Sequence, residues 1–173
     1  MSIERSTRRI AARRLTATAR SLLDASSLCA IATVSSGGRA HINTAYFAWN
    51  PKFELVWLSE PRAAHSRNVH MNDSVAVAVS DSSQRWGGLD RGIQLFGVAR
   101  RAEGSEAEDA EAVYAARFPG YRELELTAYA PYVFRPRRVK LFDERELGAG
   151  TFVTARVAVR GLAWERTEIY RPN

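Results

Sequence analysis

Apolar positions recur with a helical period along the first stretch of the chain. Ala11, Leu15, Thr18, Leu22 and Leu23 fall on one side of a helix predicted over residues 4–24, with arginines around the rest. Beyond it the period shortens. Residues 27–34 read as a strand closed by the turn Ser35-Ser36-Gly37-Gly38, and residues 40–49 return as its hairpin partner. Asn50-Pro51-Lys52 marks a second turn, before a third strand over residues 53–59. Pro61 suits a first helical position and opens a short helix to about Met71. Residues 74–80, with Val-Ala-Val-Ala-Val inside them, form a buried strand.

Residues 81–91 are polar, hold Trp86-Gly87-Gly88 and read as a loop; residues 92–101 read as a strand. Ser105 and Glu108 have the spacing of a capping box for a helix to about Phe118, which Pro119-Gly120 stops. Residues 121–130 show no decisive period. Two last strands are expected over 132–142 and 152–160, separated by Gly148 and Gly150. Strands and crossover helices do not alternate, which argues against a doubly wound parallel sheet. The pattern fits a mainly β, antiparallel barrel with flanking helices, preceded by a basic helix over 1–25 and occupying 26–173 as a single domain.

The 173 residues match the size of one domain and leave no room for two catalytic ones. No apolar run approaches the roughly 20 residues of a membrane span. The arginine-bearing N-terminus lacks the apolar core of an export signal, so a cytoplasmic protein is expected, with no membrane partner. The net charge of +6 invites a nucleic-acid reading until its location is examined. The first twenty residues hold Arg5, Arg8, Arg9, Arg13, Arg14 and Arg20 against Glu4 alone, and therefore carry most of it. The body is near neutral. A solvated or packed helix face explains such a run better than a nucleic-acid footprint does.

Cys29 is the single cysteine, which excludes an internal disulfide and an all-cysteine metal site. It sits in an apolar strand and reads as packing rather than as a nucleophile. His41, His65 and His70 are the only histidines; none has metal-ligand spacing, so no metal is expected. Trp86 is the tryptophan best placed to border a ligand, being on a loop, although large aromatics more often fill cores.

The informative stretch runs from Trp57 to Asn68. A strand ends at Ser59, a helix begins, and Arg62, His65 and Arg67 crowd its first turns. Unpaired N–H groups and partial positive charge favour anions at such a terminus. Ser59 donates a hydrogen bond and Arg62 grips phosphate through parallel N–H groups. The competing reading is an ordinary basic helix with Ser59 and Glu60 as caps, which Glu60 favours because a carboxylate repels phosphate.

This segment (Leu58-Ser59-Glu60-Pro61, His65, Asn68, then Asn72-Asp73 before the Val-Ala repeat) resembles the strand-to-helix phosphate segment of the pyridoxamine 5'-phosphate oxidase-like flavin-binding split barrels. His65 falls where those oxidases commonly place a phosphate-binding lysine. Gly38 to Phe47 is similar to the family's second strand, which flanks the isoalloxazine ring. Arg91-Gly92-Ile93-Gln94 resembles a later strand that faces the flavin, often across a dimer interface. An uncharacterised bacterial subgroup is closer still, sharing Arg100-Arg101-x-Glu103-Gly104, Arg117-Phe118-Pro119 and Lys140-x-Phe142.

The resemblance implies an antiparallel split β-barrel, a homodimer and bound FMN. On it, Ser59, Arg62, His65 and Arg67 serve the phosphate, Asn43, Thr44, Ala45 and Tyr46 the ring, and Gln94 the pyrimidine edge. The implied activity is an FMN-dependent oxidoreductase acting on a small organic molecule, with the redox chemistry supplied by flavin. Alternatives are a deazaflavin- or haem-binding protein of the same fold, or a cofactor-free basic binding module. Asn43 stands where true pyridoxamine phosphate oxidases have an arginine, and their late arginine-histidine motif is not apparent after Phe142. Vitamin B6 oxidation is therefore not the expected reaction.

Overall fold

A computed structural model describes residues 2–80, 83–123 and 128–171. In chain order its elements are β1 (Ser2–Ser6), α1 (Ala12–Asp24), β2 (Leu28–Val34), β3 (Ala40–Tyr46), β4 (Ala48–Trp49), β5 (Leu55–Ser59), α2 (Ala64–Met71), β6 (Ser74–Ser80) and β7 (Arg91–Arg101). They continue with α3 (Ser105–Arg117), a 3-10 turn (Pro119–Glu123), β8 (Ala130–Asp143), α4 (Glu144–Leu147), β9 (Thr151–Ala158) and β10 (Gly161–Arg171). The hydrogen-bonded order is β1-β10-β9-β8-β7-β6-β2-β3, with β5 branching from β8 and carrying β4. Every pairing whose register is described is antiparallel.

Tertiary contacts divide the chain into two compact units. The first comprises Met1–Ser26, Ala78–Leu95 and Arg137–Asn173. Here α1 buries Leu15, Thr18, Ala19, Leu22 and Leu23 against β10, each large apolar side chain contributing about 1.5–3 kcal/mol. Thr16 fixes the approach: its Oγ1 accepts the Leu162 N–H at 3.0 Å. Several N-terminal arginines are used internally. Arg8 Nη1 donates to the Leu147 carbonyl, Arg9 lies over Trp164 and Arg14 pairs with Glu146. Asp143, fully buried, accepts the Arg91 Nε–H at 2.8 Å and caps α4 at the Glu146 N–H.

The second unit comprises Ser27–Val77 and Phe96–Pro136. Strands β2 and β3 form the expected hairpin, which α2 covers. Strands β4 and β5 carry Ala48 and Val56, which with Val133 of β8 pack against Ala110 and Tyr114 of α3. Glu54 and Glu106 clasp Arg135 between them.

Several sequence expectations need correction. The first helix begins at Ala12, and Ser2–Ser6 is an edge strand paired with β10. The helix expected from Pro61 begins at Ala64, after a turn closed by Ala63 N–H to Glu60 O. Ser105 is not a cap; Gly104, at φ 56°, occupies the cap position of α3 and Ser105 is its first helical residue. Strand β10, expected nowhere, completes a hairpin with β9 through a bulge at Trp164/Arg166. Within the stretch left without a period, residues 124–127 lie outside the described ones.

Candidate functional site

Ser59 ends β5 with its side chain turned inward, because alternation places Leu55, Trp57 and Ser59 on one face of the strand. The chain then turns through Pro61 and enters α2. No side chain caps that helix: Ala63 occupies the cap position and makes no side-chain bond, so neither Ser59 nor Glu60 acts as the expected cap. Glu60 is exposed.

Ser59 serves another purpose. Its hydroxyl, only 5% exposed, lies 2.5 Å from His65 Nε2, and Ser66 Oγ donates to it at 3.1 Å. One set of proton positions satisfies these contacts best. Ser66 uses one lone pair of Ser59, so the buried Ser59 proton needs an acceptor, and His65 Nε2 is the one within reach. The neutral imidazole then carries its hydrogen on Nδ1. Burial depresses the His65 pKa below its ordinary value, and the neighbouring His41 adds to the shift, both favouring the neutral ring.

The hairpin supplies the other wall. Thr33 Oγ1 accepts the Asn68 side-chain N–H at 3.0 Å, tying α2 to β2. His41 stands directly opposite Thr33 on β3, its ring stacked on that of His65 with centroids 6.3 Å apart and planes at 28°. His41 Nδ1 is buried without a hydrogen-bond partner. Arg62 and Arg67 are both exposed, and Arg67 Nη1 donates to the Arg62 carbonyl. Alongside α2 lies a cavity of about 570 Å³, bordered by Ser66, Arg67, Val69, His70, Arg101 and Tyr132 among others.

Among the expected phosphate residues, the fold joins Ser59 to His65 and Arg62 to Arg67. Strand alternation divides the expected ring residues between faces. Asn43 and Ala45 lie on the half-buried face with His41, whereas Thr44 and Tyr46 are exposed with Ile42. Tyr46 rests edge-on against Phe118. Gln94 is exposed on β7 in the first unit.

Sequence reasoning gave no role to His41, Ser66 or Thr33, and Asn68 entered it only within the segment that resembles the phosphate region. The turn at Ser35–Gly38 contains the signal for two of them, since closing β2 on β3 there sets Thr33 opposite His41. Cys29, on the same inward face, has its thiol pushed up to about 12 by burial and is no nucleophile. Among the described residues there is no cluster of potential metal ligands and no helix long and apolar enough to cross a membrane.

Solved structures with this topology place the chain among the split barrels. A protein of unknown function from Agrobacterium tumefaciens has a TM-score of 0.60 and 22% identity, over 69% of this chain and 54% of that one. The chain thus spans about half the length of that relative. A heme binding protein from Mycobacterium smegmatis has a TM-score of 0.63 and 15% identity, over 94% and 89% of the two chains. A pyridoxamine 5'-phosphate oxidase-related, FMN binding protein from Nostoc punctiforme has 0.59 and 15%, over 92% and 94%. None of the curated proteins matches this chain. The sequence model of the pyridoxamine 5'-phosphate oxidase family matches residues 15–143, and the chain belongs to that family.

Proposed function

We propose that this chain is a cytoplasmic, FMN-dependent oxidoreductase that acts on a small organic molecule as a homodimer. Family membership supports the cofactor class, and the Nostoc protein of the same fold is FMN binding. The single observation that carries the assignment is the uncapped N-terminus of α2, around which Ser59, Arg62, His65 and Arg67 gather. An uncapped helix end leaves backbone N–H groups in need of an acceptor, and a phosphate monoester satisfies them.

The donor set fits that group. His65 presents a neutral N–H donor, while Arg62 and Arg67 supply the positive charge a dianion requires. Asn43, Thr44, Ala45 and Tyr46 offer the ring a strand of backbone groups. Gln94 would donate to the pyrimidine edge. FMN, when bound, supplies the hydride chemistry; the protein's task is to position a substrate and exclude water.

The homodimer rests on the outward face of the β2–β3 hairpin. Leu28, Ile42 and Tyr46 are 41%, 70% and 58% exposed there, on strands at the end of the sheet order. Such an exposed apolar patch is the kind of surface a second copy covers. The nucleic-acid alternative loses support because Arg8, Arg9 and Arg14 make contacts within their own unit.

A haem reading has one observation in its favour: the ring of His41, half-buried beside that of His65, has a nitrogen with no hydrogen-bond partner, and an iron ligand needs such an unshared lone pair. An absorbance spectrum of the purified protein, with mass analysis of the released ligand, decides. Flavin bands and a mass matching FMN support the proposal. A Soret band transfers the protein to the haem reading, and a deazaflavin mass to that alternative. Failure to take up FMN on reconstitution overturns the assignment.

A further inference from the structure

The flavin reading leaves the cavity beside α2 unused. Its volume of about 570 Å³ falls within the roughly 300–1,000 Å³ usual for small-molecule sites, and every residue bordering it belongs to the second unit. Sequence spacing builds its walls. Ser66, Val69 and His70 stand at positions i, i+3 and i+4 and so share one face of α2. Ala99 and Arg101, two apart on β7, share one side of that strand. The buried part of the lining is largely apolar: Val69, Ala99 and Tyr132, with the Tyr132 ring stacked on Trp57 at 5.8 Å and 8°. Ser66, also buried, already donates its hydroxyl proton to Ser59.

The charges bordering the cavity divide into engaged and unengaged. Arg100 is tied to Glu106 at 2.8 Å, and Arg67 donates to the Arg62 carbonyl. Arg101, Asp73 and Glu103 border the same space, and among the described residues none of these three side chains has a hydrogen bond or an ion pair. The backbone brings them together, since the Asp73 carbonyl accepts the Ala99 N–H at 2.8 Å, two residues before Arg101. One guanidinium and two carboxylates thus border an apolar-floored space without closing on each other.

We propose that this cavity binds a free α-amino acid with an apolar side chain: its carboxylate on Arg101, its ammonium on Asp73 and Glu103, its side chain against Val69, Ala99 and Tyr132. A simple anion would leave both acids facing it, and a simple cation would meet the guanidinium. A zwitterion satisfies both signs. The donor count matches as well: a guanidinium offers a carboxylate two parallel N–H groups, and an ammonium has three to share between two carboxylates. The buried floor takes the ligand's side chain out of water. None of Arg101, Asp73 and Glu103 belongs to the phosphate set, so the site stands independently of the flavin assignment.

Calorimetry on the full-length protein, with and without FMN, tests the site with L-phenylalanine, 3-phenylpropionate, phenethylamine and glycine. Phenylalanine should bind, and each probe lacking its ammonium, its carboxylate or its side chain should bind about tenfold weaker or worse. Arg101→Gln should weaken phenylalanine about tenfold and leave phenethylamine no weaker. The double variant Asp73→Asn, Glu103→Gln should weaken phenylalanine by a similar factor and leave 3-phenylpropionate no weaker. All three side chains are exposed, so urea midpoints should stay at the wild-type value, which separates lost binding from lost fold. The site is overturned by 3-phenylpropionate binding as tightly as phenylalanine, by phenylalanine affinity unchanged in both variants, or by wild-type protein that binds no phenylalanine. Phenylalanine binding by a protein that takes up no FMN keeps the site and removes the flavin assignment instead.

Discussion

Ser59 Oγ and His65 Nε2 lie 2.5 Å apart, joining the end of β5 to the first turn of α2. The contact spans six positions in sequence and holds the two elements at the turn where the candidate anion site is built. It also gives the hydroxyl a role that capping does not, since Ser66, buried to 2% exposure, completes a chain ending at the imidazole.

A pH dependence of stability follows. His65 is held below its ordinary value of 6.5, chiefly by desolvation and further by His41. Between the two values the unfolded chain binds more protons than the folded one, so stability rises with pH there. The contribution is complete above about 6.5 and is lost as pH falls towards the folded value. Thermal melts between about pH 7.5 and 5.5 should show a larger drop in Tm for the wild type than for His65→Asn. Equal drops would remove His65 as the source.

How much of this was legible beforehand varies with the residue. The Val-Ala repeat located β6 at its observed ends, because alternation and β-branching point the same way. Strand β1, with the sequence Ser-Ile-Glu-Arg-Ser, carries no such pattern; it exists because β10 offers it an edge, a tertiary cause absent from local sequence. Ser105 had capping spacing, yet Gly104 takes the position with a positive φ that other residues adopt at a cost. Ser59 and His65 were legible as polar residues at a helix entry. Their bond to each other was not, because it depends on how the turn at Pro61 folds back. His41 was visible only as a histidine until the hairpin register put it across from Thr33.

Cys29 should be chemically silent. Its thiol is buried, and burial pushes its pKa up to about 12, leaving almost no thiolate near neutrality. A thiol reagent such as Ellman's should label native protein at neutral pH negligibly and label it stoichiometrically in denaturant. Rapid native labelling would mean that β2 opens readily from β3.

Gly97 has no room for a side chain. A Cβ there would stand 2.1 Å from the Arg135 carbonyl oxygen and 2.7 Å from Pro136 Cα, both backbone atoms that cannot rotate aside. Gly97→Ala should therefore destabilise by about 2–3 kcal/mol, the upper part of the usual overpacking range. Urea unfolding measures it, with the alanine variant's midpoint expected well below that of the wild type. An unchanged midpoint would show that β7 and β8 separate locally without cost.

Arg62 bears on the cofactor rather than on the fold. Its side chain is exposed, and the contact it makes with Arg67 runs through its backbone carbonyl, which an alanine keeps. Arg62→Ala should leave the urea midpoint nearly unchanged while weakening FMN by about 1.5 kcal/mol, the low end for a charged hydrogen bond because the group is solvated. Riboflavin, which lacks the phosphate, should bind both proteins alike. Added salt should narrow the difference for FMN, since screening weakens an exposed charge pair. FMN affinity unaltered by the substitution would take Arg62 out of the phosphate site and leave Arg67 as its guanidinium.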